Sequence, residues 1–185
     1  LIQGDVGSGK TAVAAALCWA VIQNGMQAAL MAPTEILAAQ HYQSLNALLE
    51  PAHIACALLT GSVKPAEKKK IYQALADGRI QLVIGTHALL SEKVEFANLG
   101  LVITDEQHRF GVGQRSALAQ KGASPHLLVM SATPIPRTLA LMVYGDLDIS
   151  VLDELPPGRQ KIETYLIGPA KRDRAFGYVQ KHLDQ

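Results

Sequence analysis

Up to about residue 150 the chain alternates short apolar runs with stretches of helical periodicity. No other feature restricts the fold as strongly, because strands separated by helix-length connections pair in parallel in a sheet covered by helices. The apolar runs are Gln27 to Ala32, Ile54 to Thr60, Gln81 to Gly85, Leu99 to Thr104 and Leu127 to Ser131. They are nearly continuous in hydrophobicity, as strands buried on both faces must be. Helical patterns fit Lys10 to Asn24, Thr34 to Leu49, Pro65 to Asp77 and Arg137 to Tyr144, with Gly25, Gly78 and Gly145 as stops. The reading is an α/β domain with a mostly parallel sheet and helices on both faces.

Composition sets the outer limits. With 185 residues and 49% hydrophobic content, the chain can bury one full core. A formal net charge of +1 supplies no overall basic field, so any nucleic-acid contact must come from local groups. Cys18 and Cys56 have neither metal nor redox spacing and read as small core residues. Trp19, in the apolar helix after the first loop, reads as core. His41, His53, His126 and His182 show no metal spacing. The run Lys68, Lys69, Lys70 reads as the solvated face of a helix. No apolar stretch approaches the roughly 20 residues of a membrane helix. A cytoplasmic protein is expected.

The segment "GDVGSGKT", Gly4, Asp5, Val6, Gly7, Ser8, Gly9, Lys10 and Thr11, matches the phosphate-binding pattern G-x-x-x-x-G-K-[ST]. Glycines permit a tight turn whose N–H groups point at a polyphosphate, and the following helix presents its positive dipole end. Lys10 then reaches the β- and γ-phosphates of ATP, and the Thr11 hydroxyl ligates Mg²⁺.

In "LVITDEQHRFGV", residues 101–112, an apolar strand runs straight into charge. Ligands of an open α/β sheet collect outside the carboxyl ends of its strands, so Asp105 and Glu106 belong on the rim that carries the phosphate loop. Two adjacent carboxylates there divide the work of hydrolysis: Asp105 holds the metal and Glu106 orients and deprotonates water. A small-molecule kinase would not need the second.

Beside the phosphate loop, "DEQH" resembles the DExH-box motors of helicase superfamily 2. "APTEILAAQH" (32–41), "LLTGS" (58–62), "IGTHALL" (84–90), "DEQHRFGV" (105–112), "MSATPIPRTLAL" (130–141) and "YGDLDISVLDELPPGR" (144–159) narrow this to the RecG-type family of ATP-dependent DNA helicases. The resemblance covers essentially the whole chain. It differs at Thr104, where the family usually has an aliphatic residue, and at Ser131, often Thr.

The resemblance implies a RecA-like P-loop NTPase fold and translocation on branched DNA, such as stalled forks and Holliday junctions, in recombination and repair. It assigns Pro33, Thr34, Gly61, Ser62, Thr86 and His87 to sequence-independent DNA phosphate contacts. Hydroxyls, backbone N–H groups and a helix N-terminus are suited to that task. Gln107, His108, Ser131, Thr133 and Arg137 would couple nucleotide state to the DNA-binding surface. Arg109 and Phe110 are candidates for the domain interface.

The expected organisation is a helicase ATP-binding domain over residues 1–151, its first strand cut short, then a Pro/Gly linker over 152–160. Residues 161–185 would begin a second RecA-like lobe, with Ile162 to Ile167 as strand and Lys171 to Leu183 as helix. An upstream wedge domain and a complete second lobe supplying an arginine finger are expected elsewhere in the full-length protein. Two alternatives remain: a transcription-repair coupling translocase and a nucleotide-sensing module that does not hydrolyse.

Overall fold

A computed structural model describes residues 1–105, 117–132, 148–154 and 164–183. The chain divides into two compact units, Leu1–Leu155 and Pro156–Gln185. Among its described residues the first contains seven strands: β1 (Ile2–Gly4), β2 (Gln27–Met31), β3 (Cys56–Leu59), β4 (Leu82–Gly85), β5 (Leu99–Asp105), β6 (His126–Ser131) and β7 (Ser150–Leu152). Three helices, α1 (Lys10–Gln23), α2 (Glu35–Leu49) and α3 (Pro65–Ala76), connect the first four strands. In the first unit the expected strands and helices that lie within the described residues fall within one or two positions of these bounds. The expected helix Arg137 to Tyr144 lies outside the described residues.

The strand order is β3-β4-β2-β5-β6-β1-β7 and every pairing is parallel. At the centre Ala29 of β2 lies between Val83 of β4 and Val102 of β5, and all seven residues of β5 are buried. Parallelism has a direct functional consequence. Every described strand points the same way, so the loops that follow β1 to β6 emerge on one rim.

Local chemistry sets the ends of the helices. Gly9 adopts φ 95°, turning the chain into α1, and α1 stops before Gly25 at φ 74°. Thr34 caps α2: its Oγ1 accepts from Leu37 N at 3.2 Å. Pro65 opens α3, where a missing N–H costs nothing, and Gly78 follows its end at φ 72°.

One face of the sheet packs against α1 and α2 through Ala14, Cys18, Ile22, Ala38, Leu45 and Leu49, which meet Leu30, Ile84, Ile103 and Met130. The other face packs Met31, Val83 and Val102 against Leu75 of α3 and Leu118. The buried Gln27 side chain ties the layers at one end of β2. Its Nε2 donates to Leu75 O (3.0 Å) and Ile80 O (2.6 Å), and its Oε1 accepts from Asn98 N (3.0 Å).

Three expectations need correction. Trp19 is 50% exposed. The buried positions of α1 are 14, 15, 18 and 22, and residue 19 turns to the edge of that stripe, where its indole borders a groove with Leu48, Leu49 and Pro51. A seventh strand, β7, forms beside β1 where no strand was expected, because a three-residue segment with only two apolar residues carries too little periodicity to be seen. In the second unit residues 164–168 are irregular instead of strand. A strand there would require a neighbouring strand to pair with, and no strand is present among the described residues of that unit. The expected helix there is α4 (Arg172–Leu183), preceded by a 3-10 turn, with the Arg172 guanidinium 5.6 Å from the Phe176 ring centroid.

Candidate nucleotide site and rim

The loop from Gly4 to Thr11 leaves the end of β1 and closes onto the N-terminus of α1. Gly7 (φ 84°) and Gly9 (φ 95°) occupy left-handed backbone that other residues rarely adopt. Gly4 is favoured for a different reason: a Cβ there would collide with Ser8 Oγ and crowd Leu152 Cβ at 3.0 Å and Leu152 O at 3.1 Å. Ser8 N donates to Asp5 O at 3.1 Å, and Asp5 Oδ1 accepts from Val6 N at 2.7 Å, which fixes the turn. The Lys10 ammonium bends back over it and donates to Gly4 O (2.7 Å) and Asp5 O (2.8 Å). Two of its three donors are thus used within the loop. Ser8 Oγ is buried and has no hydrogen-bond partner among the described residues.

Asp105 ends β5, only 8% exposed. Strand β6 alone separates β5 from β1. Neighbouring strands lie about 4.8 Å apart, so the end of β5 is roughly 10 Å from the phosphate loop, a span suited to a triphosphate. Val6, Gly7, Gly9, Lys10, Thr11 and Asp105 line a single open cleft of about 710 Å³. Its far wall is α2, through Thr34, Leu37, Gln40, His41 and Ser44. His41 Nε2 approaches Asp105 Oδ2 at 2.6 Å, with both side chains 12% exposed. An ionised carboxylate can only accept, so Nε2 carries the proton of this bond.

The remaining expected residues divide by strand. Ser131 is buried at the end of β6, next to the cleft. Pro33 and Thr34 follow β2, Gly61 and Ser62 follow β3, and Thr86 and His87 follow β4. These three strands are adjacent in the sheet, so the candidate DNA loops sit side by side on the rim next to the candidate nucleotide loops, and Pro33 and Thr34, nearest to them, also line the cleft. Glu106, Gln107, His108, Arg109, Phe110, Thr133 and Arg137 lie outside the described residues.

The loops after β3 and β4 differ from expectation in detail. Thr86 is 2% exposed, its hydroxyl is buried without a partner among the described residues, and its N–H donates to Leu59 O (3.3 Å). It therefore presents neither donor on the rim, because it opens a 3-10 turn that folds its side chain inward. His87 is exposed there instead. After β3, Ser62 N donates to Glu35 Oε1 at 3.0 Å, and Lys68 Nζ donates to Gly61 O at 2.8 Å. Hydrogen bonding from the Ser62 hydroxyl and then from the Ser62 and Gly61 amides holds the Glu35 carboxyl below its ordinary range.

A family model for DEAD/DEAH box helicases matches residues 1–142. The chain belongs to the DEAD/DEAH box helicase family. An ATP-dependent DNA helicase RecG from Aquifex aeolicus is 55% identical over 185 residues, covering 99% of this chain and 23% of that protein. Its counterpart from Bacillus subtilis is 56% identical over 185 residues, covering 100% and 27%. Among solved structures, RecG bound to a three-way DNA junction superposes with a TM-score of 0.83 at 47% identity, covering 98% of this chain and 24% of that one. The chain thus spans about a quarter of the length of these relatives.

Cys18 and Cys56 do not line this cleft. Burial pushes the Cys18 thiol up to about 12 and the Cys56 thiol to about 11, leaving both protonated at neutral pH. Among the described residues no three His, Cys, Asp or Glu side chains form a metal cluster, and no helix is long and apolar enough to cross a membrane. Two contacts were invisible in the sequence: His41 against Asp105, and Glu35 against Ser62. Neither carries a spacing signal, because each joins residues brought together only by the strand order.

Proposed function

We propose that this chain is the ATP-binding motor lobe of a RecG-type DNA helicase. In the whole protein it would couple ATP hydrolysis to translocation on branched DNA, in the cytoplasm, in the service of recombination and repair. The observation that carries the reading is the single cleft shared by Lys10 and Thr11 of the phosphate loop with Asp105 at the end of β5.

The residues suit MgATP. The left-handed glycines, the buried Ser8 hydroxyl and the Lys10 ammonium fit a polyphosphate. Thr11 and Asp105 offer the hard oxygen donors of a site that takes one carboxylate and completes itself with phosphate and water. Mg²⁺ bound there would neutralise phosphate charge and fix the phosphates' orientation.

Gly4 to Gly9 would hold the phosphates, and Lys10 would reach the β- and γ-groups. Glu106 would orient and deprotonate the attacking water. Gln107, His108, Ser131, Thr133 and Arg137 would relay nucleotide state. Pro33, Thr34, Gly61, Ser62 and His87 would contact DNA phosphates. Residues 161–185 would open the second lobe.

The test uses the whole protein and a fluorescent ATP analogue. Lys10→Ala should weaken binding at least about tenfold, the scale of one charge-assisted phosphate contact. Glu106→Gln should keep binding and abolish hydrolysis. Unchanged binding in the first variant, or an unchanged ATPase rate in the second, removes that residue from its role.

A further inference from the structure

The cleft has a wall that the phosphate-loop chemistry does not require. Helix α2 starts on the rim half that carries the candidate DNA loops, with Thr34 as its cap, and two turns later it contacts the carboxylate on the nucleotide half. An α-helix rises 1.5 Å per residue, so His41 sits roughly 10 Å along a stiff rod from Thr34. Ala38, Leu45 and Leu49 anchor that rod in the core. Its exposed cleft-facing residues can therefore move only with the helix.

The His41–Asp105 contact has the character of a built interaction. At 2.6 Å it is slightly shorter than the usual charge-assisted N–H···O bond of about 2.7–2.9 Å, and both side chains are largely covered. A histidine nitrogen is a poor ligand for Mg²⁺, which prefers oxygen. His41 is better suited to hold one carboxylate oxygen and leave the other toward Thr11.

We infer that His41 is a positioning residue that fixes the Asp105 carboxylate from α2, and that through it the DNA-facing head of α2 sets the metal affinity of the nucleotide site. The inference rests on the nucleotide and DNA reading above. Coupling of this kind needs no long pathway. A shift of the helix when phosphate engages Thr34 changes the distance across one hydrogen bond.

The experiment measures Mn²⁺ binding to the whole protein by electron paramagnetic resonance, with saturating ADP, with and without a three-way DNA junction. In the unaltered protein the junction should change the Mn²⁺ half-saturation. His41→Leu, which keeps bulk but removes the donor, should raise the half-saturation about tenfold, the scale of losing an outer-shell partner, and abolish the response to DNA. His41→Gln, which keeps an N–H at similar reach, should restore both to within about twofold. The far-ultraviolet circular dichroism spectrum should stay unchanged in both variants, which shows that each keeps its fold.

If His41→Leu fails to fold, His41→Asn takes its place: it keeps the donor but is too short to reach Asp105, so the same loss is expected. A half-saturation and DNA response equal to those of the unaltered protein would overturn the inference, as would failure of His41→Gln to restore them. Failure of the unaltered protein to bind Mn²⁺ with ADP would instead overturn the nucleotide reading itself.

Discussion

At the scale of single residues, a group's partner decides what it can do. Glu35 is fully exposed, yet it accepts from the amide and hydroxyl of Ser62, donors that also suit a DNA phosphate. Its carboxyl is depressed below the ordinary glutamate value of 4.5. The turn is therefore supported above that value and released as pH falls through the lower folded pKa. The Ser62 amide resonance should titrate with a midpoint below 4.5 and cease to titrate in Glu35→Gln. A midpoint at or above the ordinary value would show that the carboxylate does not hold the turn. Thr104 illustrates the opposite case. Its hydroxyl is buried at the end of β5 with no partner among the described residues, at the position where the resembled family usually has an aliphatic residue.

At the scale of elements, the ends of strands need as much precision as the loops that follow them. Gly85 closes β4 where that strand meets the end of β3 and the 3-10 turn beyond. A Cβ there would run into the Leu59 carbonyl and lie 3.1 Å from Leu89 Cγ. Neither neighbour yields easily, since one is sheet backbone and the other a buried core side chain. Gly85→Ala should destabilise the fold by about 1–3 kcal/mol, the cost of overpacking a filled interior, measured as a lowered denaturant midpoint at unchanged slope. An unchanged midpoint would mean that β3 and β4 can separate at their ends. Such slack would also loosen the placement of Ser62 and His87.

At the scale of the whole molecule, the sheet order divides the labour. Strands β3, β4 and β2 carry the candidate DNA loops, β5, β6 and β1 carry the candidate nucleotide loops, and α2 links the two halves. The chain spans about a quarter of its relatives, and the charge that completes hydrolysis is expected from a second lobe. The 185 residues alone should bind ATP analogues weakly and show no DNA-stimulated turnover, measured by phosphate release with and without a three-way junction. Robust stimulation of this chain would show that no second lobe is needed.

Much of this was legible in the amino-acid sequence, and the reason is local. Hydrophobic period, caps and glycine stops act over a few residues, so strands β2 to β6 and helices α1 to α3 could be read to within a turn. The candidate phosphate loop and the Asp105 carboxylate, which line one cleft, could be picked out as candidates because each is written in consecutive residues. Strand order was not legible, because pairing depends on contacts between segments far apart in the chain. The hydrogen bond between His41 and Asp105 follows from that order and was hidden with it, whereas β7 was too short to show a period and the Trp19 and Thr86 side chains take their directions from their places on α1 and on the 3-10 turn. The sequence by itself determined which chemistry the rim can hold. The tertiary structure alone decided which residues share a cleft, because packing, and not spacing along the chain, brings α2 over the end of β5.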